Sequence, residues 1–130
     1  MKVRGVAHVA INTADLGRSV DFYGRVLGWK QGETVPFEGF SLVYFEIPGG
    51  GRLELFDYGG KNPRGEREES EAGLRHLAFA ADDVDEAERH LRANGVTITM
   101  PATDLPSLKC RAILFLDPNG VTLEFSQKMR

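Results

Sequence analysis

An internal repeat constrains the fold of this 130-residue chain more than any other feature of its sequence. Segment 5–11 (GVAHVAI) aligns with segment 73–79 (GLRHLAF), and the pair Leu53-Glu54 recurs as Leu123-Glu124. The offsets are nearly equal, 68 positions between the histidines (76 minus 8) and 70 between the glutamates (124 minus 54). The sequence therefore predicts one domain over residues 1–130, made of half-modules at about 1–58 and 73–130 with a linker at about 59–72.

The two halves have the same predicted order of strands and helices, which indicates an α+β fold. In the first half, the spacing of apolar residues predicts a strand at 3–12, a helix at 16–27 and strands at 40–47 and 52–57. In the second half, it predicts a strand at 74–81, a helix at 84–94 and strands at 110–117 and 121–127. Asp15 and Asp83 precede the helices as N-caps, and Gly28 and Gly95 follow them where a left-handed residue is favoured.

Two longer connections lie outside these predicted elements. Residues 57–73 are rich in glycine and charge, which is typical of a solvated linker that could also fold over the mouth of a site. Residues 101–109 are a second candidate lid, because a long loop in a compact domain is often functional.

Composition excludes several classes of partner. A net charge of -3 offers no basic surface for nucleic acid, and no apolar run approaches the roughly 20 residues that cross a bilayer. Cys110 is the single cysteine, which excludes an internal disulfide and fits a reducing compartment. We therefore expect a cytoplasmic protein whose partner is a small molecule.

Two histidines and two glutamates occupy equivalent positions in the repeat: His8 and His76, Glu54 and Glu124. Because side chains alternate across a strand, each glutamate lies on the face opposite the apolar residues that precede and follow it. If a pseudo-twofold axis relates the halves, the four side chains converge on one point. Two imidazoles and two carboxylates there would bind a divalent first-row cation.

A structural interpretation of the same residues is also open. In one-sided antiparallel strands the two glutamates would simply face solvent, and the histidines would bond the backbone. The symmetric placement of two of the only three histidines favours the metal interpretation. The third, His90, lies among charged residues of the second predicted helix, which is typical of a solvated helical face.

Three segments resemble the vicinal oxygen chelate superfamily. They are segment 8–11 (HVAI), segment 15–29 (DLGRSVDFYGRVLGW) and segment 117–125 (DPNGVTLEF). That superfamily includes glyoxalase I (lactoylglutathione lyase), fosfomycin and bleomycin resistance proteins, methylmalonyl-CoA epimerase and extradiol dioxygenases. The resemblance implies tandem βαβββ modules that form a cup-shaped mixed sheet around a metal site.

The ligand set implied by this resemblance distinguishes among the members. Bacterial glyoxalase I is similar in its order His, Glu, His, Glu, which falls on His8, Glu54, His76 and Glu124. Extradiol dioxygenases resemble the chain at only three of these positions, epimerases typically have glutamine at position 54, and bleomycin-binding members lack the ligands. The chain departs from glyoxalase I at Asn12 and, approximately, Tyr58, where that enzyme has residues that hold glutathione.

The resemblance implies an enzyme, a metal-dependent lyase or isomerase of the glyoxalase I type and thus a carbon-sulfur lyase similar to lactoylglutathione lyase. It would act through an enediolate on a 2-oxoaldehyde-thiol adduct or another vicinal-oxygen substrate, with one Ni, Co, Zn or Fe ion and a thiol cosubstrate. Glu124 is the first choice for the catalytic base and Glu54 the second. The alternatives are an Fe(II) extradiol-type dioxygenase, an epimerase, and a resistance protein that sequesters a small molecule.

We also expect an apolar substrate pocket beside the metal site and a homodimeric protein. The predicted pocket residues are Ala10, Asn12, Phe56, Ala78 and Phe115. Members of the superfamily pair their modules within a chain or across a dimer, so the four ligands would come from one chain or from two.

Overall fold

The computed structural model describes residues 1–129, which divide into two compact units, Met1–Arg64 and the chain from Gly65 onward. The boundary falls within the segment predicted as a linker. The first unit contains β1 (His8–Thr13), α1 (Leu16–Asp21), a π-helical turn (Phe22–Val26), β2 (Lys30–Phe37), β3 (Phe40–Glu46) and β4 (Arg52–Asp57). The second contains β5 (Leu77–Ala80), α2 (Val84–Ala93), β6 (Ile98–Leu105), a 3-10 turn (Pro106–Leu108), β7 (Cys110–Leu116) and β8 (Thr122–Lys128).

Each unit is a four-stranded mixed sheet with the same topology. The strand orders are β1-β4-β3-β2 and β5-β8-β7-β6. In both sheets the first strand pairs in parallel with the last, and the other pairs are antiparallel. The predicted α+β class and the repeated βαβββ module are therefore confirmed.

The apolar core of each unit lies on one face of its sheet. In the first unit the leucines of β4 are buried, as is Tyr23, whose ring lies 5.4 Å from that of Trp29. In the second unit Val84 and Leu91 of α2 are buried, as is Leu123 of β8. Gln127 ties helix to sheet because its Oε1 accepts a hydrogen bond from the Val84 backbone N–H at 2.9 Å. The odd-numbered residues of β8 therefore face the helix, and Glu124 faces the other way.

The predicted helix ends are confirmed. The Asp15 carboxylate accepts from the Arg18 backbone N–H, and that of Asp83 accepts from the N–H groups of Asp85 and Glu86. Gly28 and Gly95 have φ angles of 75° and 71°, the left-handed conformation in which glycine carries no steric penalty.

The first predicted helix is not a single α-helix. Its second half is the π-helical turn, in which the Leu27 N–H donates to the Phe22 carbonyl at 2.9 Å. Three of the five residues of this wider turn are buried, namely Phe22, Tyr23 and Val26. The turn thus contributes three buried side chains to the core of the first unit.

The first strand of each half begins later than predicted. β1 begins at His8, which pairs with Arg52, the first residue of β4. β5 begins at Leu77, which pairs with Leu123 near the start of β8. The apolar residues before these strands, such as Val3 and Leu74, are exposed because the partner strand does not extend to meet them.

The lid predicted at 101–109 is wrong. Residues 101–105 belong to β6, residues 106–108 form the 3-10 turn, and Lys109 is left-handed with φ 56°. β6 is an edge strand, where a proline such as Pro101 is tolerated because one side of the strand makes no ladder bonds. β2, the other strand that the sequence did not predict, is also an edge strand and is mostly exposed.

No helix within residues 1–129 is long and apolar enough to cross a membrane.

The Asp83 cap should contribute measurably to stability. Replacing Asp83 with alanine leaves two backbone N–H groups of α2 without their side-chain acceptor, so the free energy of unfolding should fall by about 1 kcal/mol in urea denaturation. Asp82→Ala removes a neighbouring exposed carboxylate outside the cap and should leave stability unchanged. Equal losses in the two variants would contradict the assignment of the cap.

Candidate metal centre

The parallel pairing of β1 with β4 brings His8 to Glu54. In this register His8 lies beside Arg52 and Ala10 beside Glu54, so the histidine and the glutamate share one face of the sheet. His8 Nδ1 lies 3.5 Å from Glu54 Oε2. The His8 side chain is 51% exposed and that of Glu54 is 11% exposed, so the imidazole remains accessible beside a nearly buried carboxylate.

The second unit repeats this arrangement. His76 immediately precedes β5, and Ala78 pairs with Glu124 of β8 just as Ala10 pairs with Glu54. His76 Nε2 lies 3.3 Å from Glu124 Oε1, with both side chains mostly buried. Each half therefore brings one candidate histidine next to one candidate glutamate.

The structure brings the four predicted ligands together as two pairs, each within its own unit. Among residues 1–129, no group of three or more His, Cys, Asp or Glu side chains is placed to hold a metal ion. Convergence of all four ligands on one ion stays a prediction.

The donor atoms of each pair fit a divalent first-row cation. Two donor atoms that each lie about 2.1 Å from one ion are about 3.0–3.4 Å apart in octahedral or tetrahedral geometry. The separations of 3.3 and 3.5 Å are close to that spacing. Neutral imidazole suits Zn, Ni, Co and Fe, and the carboxylates supply negative charge to balance the cation.

The alternative in which both glutamates simply face solvent is wrong for Glu54. That residue is only 9% exposed although it carries a carboxylate. Burying an unpaired carboxylate is costly, so its position requires partners on the same face.

Tyr44 is one such partner, and sequence reasoning missed it. Tyr44 of β3 pairs across the strands with Glu54. Burial raises the pKa of the Tyr44 phenol, and so does the negative charge of Glu54 beside it. The phenol therefore stays protonated at neutral pH.

Arg52 and Glu33 extend this group of side chains. The Arg52 guanidinium lies 3.8 Å from the centre of the Tyr44 ring, and its Nη1 donates to Glu33 Oε1 at 2.8 Å. The hydrogen bond to Glu33 raises the pKa of Arg52, which keeps its positive charge beside Tyr44. Side-chain alternation placed Arg52 on the Glu54 face, but only the strand register identifies Tyr44 as a neighbour of both residues.

Four of the five predicted pocket residues lie on the same strands as the candidate ligands or, for Ala78, on the strand that begins directly after His76. Ala10 pairs with Glu54, Ala78 pairs with Glu124, and Asn12 pairs with Phe56. The alternation of side chains puts each of them on the same face as the glutamate of its own unit.

Phe115 is not a pocket residue, contrary to the prediction. It is completely buried, pairs with Leu123, and its ring centre lies 4.8 Å from that of Phe125. These neighbours belong to the helix-facing core, whereas Leu114 pairs with Glu124 on the opposite face.

A stack of aromatic rings on the first sheet also escaped prediction. Phe40 lies at its centre, with ring distances of 4.8 Å to Phe37, 5.8 Å to Phe56 and 5.1 Å to Tyr58. The rings are within 28° of parallel to Phe40. Phe56 therefore belongs to an extended apolar surface two residues along β4 from Glu54.

Known proteins resemble the chain over nearly its whole length. Residues 5–125 match the family model described as the Glyoxalase/Bleomycin resistance protein/Dioxygenase superfamily. The chain is 33% identical over 128 residues to uncharacterized protein YaeR of Escherichia coli (strain K12), which covers 97% of this chain and 98% of YaeR.

Two enzymes are among the other relatives. The mitochondrial methylmalonyl-CoA epimerase of Dictyostelium discoideum is 30% identical over 135 residues, with 93% of this chain and 76% of the epimerase covered. The lactoylglutathione lyase of Schizosaccharomyces pombe is 28% identical over 139 residues, with 90% and 45% covered.

A solved structure has the same fold. It is that of a glyoxylase/bleomycin resistance protein/dioxygenase domain from Frankia sp. EAN1pec, with a TM-score of 0.83 and 27% identity. The match covers 98% of this chain and 99% of that domain.

The metal ligands generate a direct prediction. Protein loaded with Ni, Co, Zn or Fe and then desalted should retain close to one ion per chain, which is one per predicted four-ligand site. Elemental mass spectrometry measures this ratio. Glu54→Gln exchanges a charged ligand for a neutral amide and should lower the affinity by at least about tenfold. Glu38→Gln makes the same exchange in an exposed turn and should bind like the wild type. Normal metal affinity in Glu54→Gln would contradict the four-ligand site.

Proposed function

The chain belongs to the Glyoxalase/Bleomycin resistance protein/Dioxygenase superfamily, and from this premise we propose that it is a metal-dependent lyase or isomerase of the glyoxalase I type. The proposed ligands are His8, Glu54, His76 and Glu124. The observation that carries the proposal is the repeated pair of a histidine and a glutamate, at 3.5 and 3.3 Å, on equivalent strands of two sheets with the same topology.

The proposed reaction is a proton transfer next to a carbonyl group. The bound ion would supply Lewis-acid polarisation of two adjacent oxygens of the substrate. The chain itself supplies a carboxylate base, which removes a proton from one carbon and returns it to the neighbouring carbon. For a 2-oxoaldehyde-thiol adduct, this transfer converts the adduct into the thioester of a 2-hydroxy acid without net oxidation.

Glu124 is our first choice for the base and Glu54 the second. Glu124 lies between Leu114 and Ala78, whose side chains have no hydrogen-bond donor. Glu54 instead has the polar Tyr44 as its cross-strand neighbour. A base that must move toward the substrate and back needs the freedom that the surroundings of Glu124 allow.

The proposed substrate surface lies beside these carboxylates. Ala10 and Ala78 are small, so they leave space next to each glutamate for a compact group of the substrate. Phe56 and the aromatic rings around Phe40 offer an apolar surface next to Glu54, which would exclude water from the substrate.

An epimerase of the same superfamily is the second candidate. A relative of 30% identity bears the name methylmalonyl-CoA epimerase, and Asn12 and Tyr58 depart from the pattern that holds glutathione in glyoxalase I. The chemistry is closely related, because an epimerase removes a proton from a carbon beside a carbonyl and returns a proton to the opposite face. Glu54 in place of the typical glutamine favours the lyase.

Other members of the superfamily remain alternatives that experiment separates. An Fe(II) extradiol-type dioxygenase would consume dioxygen, and a resistance protein that sequesters a small molecule would bind it without turnover.

We further propose that the protein is a homodimer in the cytoplasm. Its mass in analytical ultracentrifugation should be twice that of one chain.

Proton transfer gives the sharpest test of this proposal. Metal-loaded protein should turn over methylglyoxal in the presence of a thiol, and deuterium placed on the aldehyde carbon should appear on the neighbouring carbon of the product in nuclear magnetic resonance spectra. Methylmalonyl-CoA, assayed in parallel in deuterated water, should exchange its α-proton for deuterium if the protein is an epimerase. Glu124→Gln, compared at equal metal occupancy, should lose on the order of 10²- to 10⁴-fold in kcat.

The Glu38→Gln variant serves as the control, because its carboxylate lies in an exposed turn outside the proposed site. Two results would contradict the proposal: dioxygen consumption by the iron-loaded protein, and stoichiometric ligand binding without transfer of any proton.

A further inference from the structure

Arg52 presents an accessible guanidinium group on the face of the sheet that carries Glu54. The two residues lie two positions apart on β4, so their side chains share that face. His8 pairs with Arg52 across the parallel strands, which places the arginine at the histidine end of the candidate site. The Arg52 side chain is 46% exposed, so a small molecule can reach it.

Two contacts hold this guanidinium group in place. Its carbon atom Cζ lies 3.8 Å from the centre of the Tyr44 ring, which is a cation-π contact. Its Nη1 donates to Glu33 Oε1 at 2.8 Å. Because these contacts already order a long side chain, a ligand that binds to it loses less affinity to conformational entropy.

Arg111 of the second unit shows how one guanidinium group of this chain binds two carboxylates. Its Nε and Nη2 donate to Asp85 at 3.0 and 2.8 Å, and its Nη1 donates to Asp104 at 3.0 Å. In Arg52 the Nη1 likewise donates to a carboxylate, but within residues 1–129 its Nε and Nη2 have no hydrogen-bond acceptor. The edge that holds Asp85 in Arg111 is therefore available for an acceptor in Arg52.

The donors of this edge suit an oxyanion. The N–H groups on Nε and Nη2 are parallel and match the spacing of two oxygen atoms in a carboxylate or a phosphate. The ion pair with Glu33 does not prevent a second one, because Arg111 forms both at once. A charged acceptor also gives a stronger hydrogen bond than a neutral one.

The second unit has no cation at the equivalent position. Arg52 pairs with Glu46 at the start of β4, and Thr122 pairs with Leu116 at the start of β8. A strand with a neutral threonine there forms the same sheet topology, so the sheet itself does not require the arginine. The difference between the halves favours a role for Arg52 in binding.

We propose that Arg52 is a binding residue that selects substrates with an oxyanion, a carboxylate or a phosphate, in addition to their two adjacent oxygens. This inference rests on the proposed function and deepens it by naming the class of substrate. The Nε and Nη2 groups hold the anionic end, which directs the reacting end of the substrate toward Glu54. Arg52 itself transfers no proton.

Three hydroxamates test the inference, because they share one metal-chelating group. Acetohydroxamate has a methyl tail, malonohydroxamate adds a carboxylate to that carbon, and phosphonoacetohydroxamate adds a phosphonate. Each is titrated into the cobalt-loaded protein, and the visible spectrum and calorimetry report binding. We expect at least one anionic tail to raise the affinity on the order of tenfold above that for acetohydroxamate. The tail that binds more tightly distinguishes a carboxylate substrate from a phosphate substrate.

Arg52→Gln should abolish this preference for an anionic tail. The ratio of the affinities for the anionic and the neutral hydroxamate is the readout, because a general disturbance of the site would weaken all three ligands alike. Arg52→Lys is the second variant, which retains the charge but not the parallel donors and should keep only part of the preference. Circular dichroism checks that both variants are folded.

Arg25→Gln is the matched control. Arg25 is also exposed and also bonds a carboxylate, that of Asp21, but it lies on the π-helical turn rather than on the sheet. Its replacement changes the net charge by the same amount and should leave the ratio of affinities at the wild-type value.

The outcomes separate this inference from the proposed function. If the wild type binds acetohydroxamate but neither anionic tail adds affinity, or if the folded Arg52 variants keep the full gain, the inference is overturned and the proposed metal site stands. A gain that is lost equally in Arg25→Gln reflects net charge alone and also overturns it. If the wild type binds no cobalt or none of the hydroxamates, both are overturned. A gain that is lost only in the Arg52 variants supports the assignment.

Discussion

In each half of the chain, the first strand pairs in parallel with the last, and the candidate site depends on this contact. The pairing sets Ala10 beside Glu54 and Ala78 beside Glu124, which brings a histidine two residues earlier on the chain to the same face. The resulting distances of 3.5 and 3.3 Å follow from register and alternation. A shift of either register by one residue would turn the glutamate into the apolar core.

The same alternation explains why the site and the core do not compete. Glu54 lies between Leu53 and Leu55, and Glu124 lies between Leu123 and Phe125. The three leucines are buried on the core face of the sheet. The intervening carboxylate is then free to face its histidine. The core and the candidate ligands thus lie on opposite faces of the same strands.

The sequence predicted the central parts of the fold better than the edges. Strand β4 was predicted with its observed bounds, because its buried leucines alternate clearly with polar residues. β2 and β6 were missed because they are edge strands, which need little apolar surface and tolerate Pro36 and Pro101. The π-helical turn has no sequence pattern that separates it from an α-helix.

Within the site, residues on one strand were easier to predict than residues brought together by pairing. The faces of β4 and β8 follow from period-2 alternation, so Glu54 and Glu124 could be chosen from the sequence. Which face of a neighbouring strand adjoins them depends on register, which the sequence does not specify. For this reason Phe115 was assigned to the wrong face and Tyr44 was overlooked.

The most direct test of the account is a crystal structure of the zinc- or cobalt-loaded protein with an anomalous difference map measured at the absorption edge of the metal. The account predicts one strong peak bonded by His8, Glu54, His76 and Glu124, whether these come from one chain or two, and a peak bonded by other residues or the absence of any peak would contradict it.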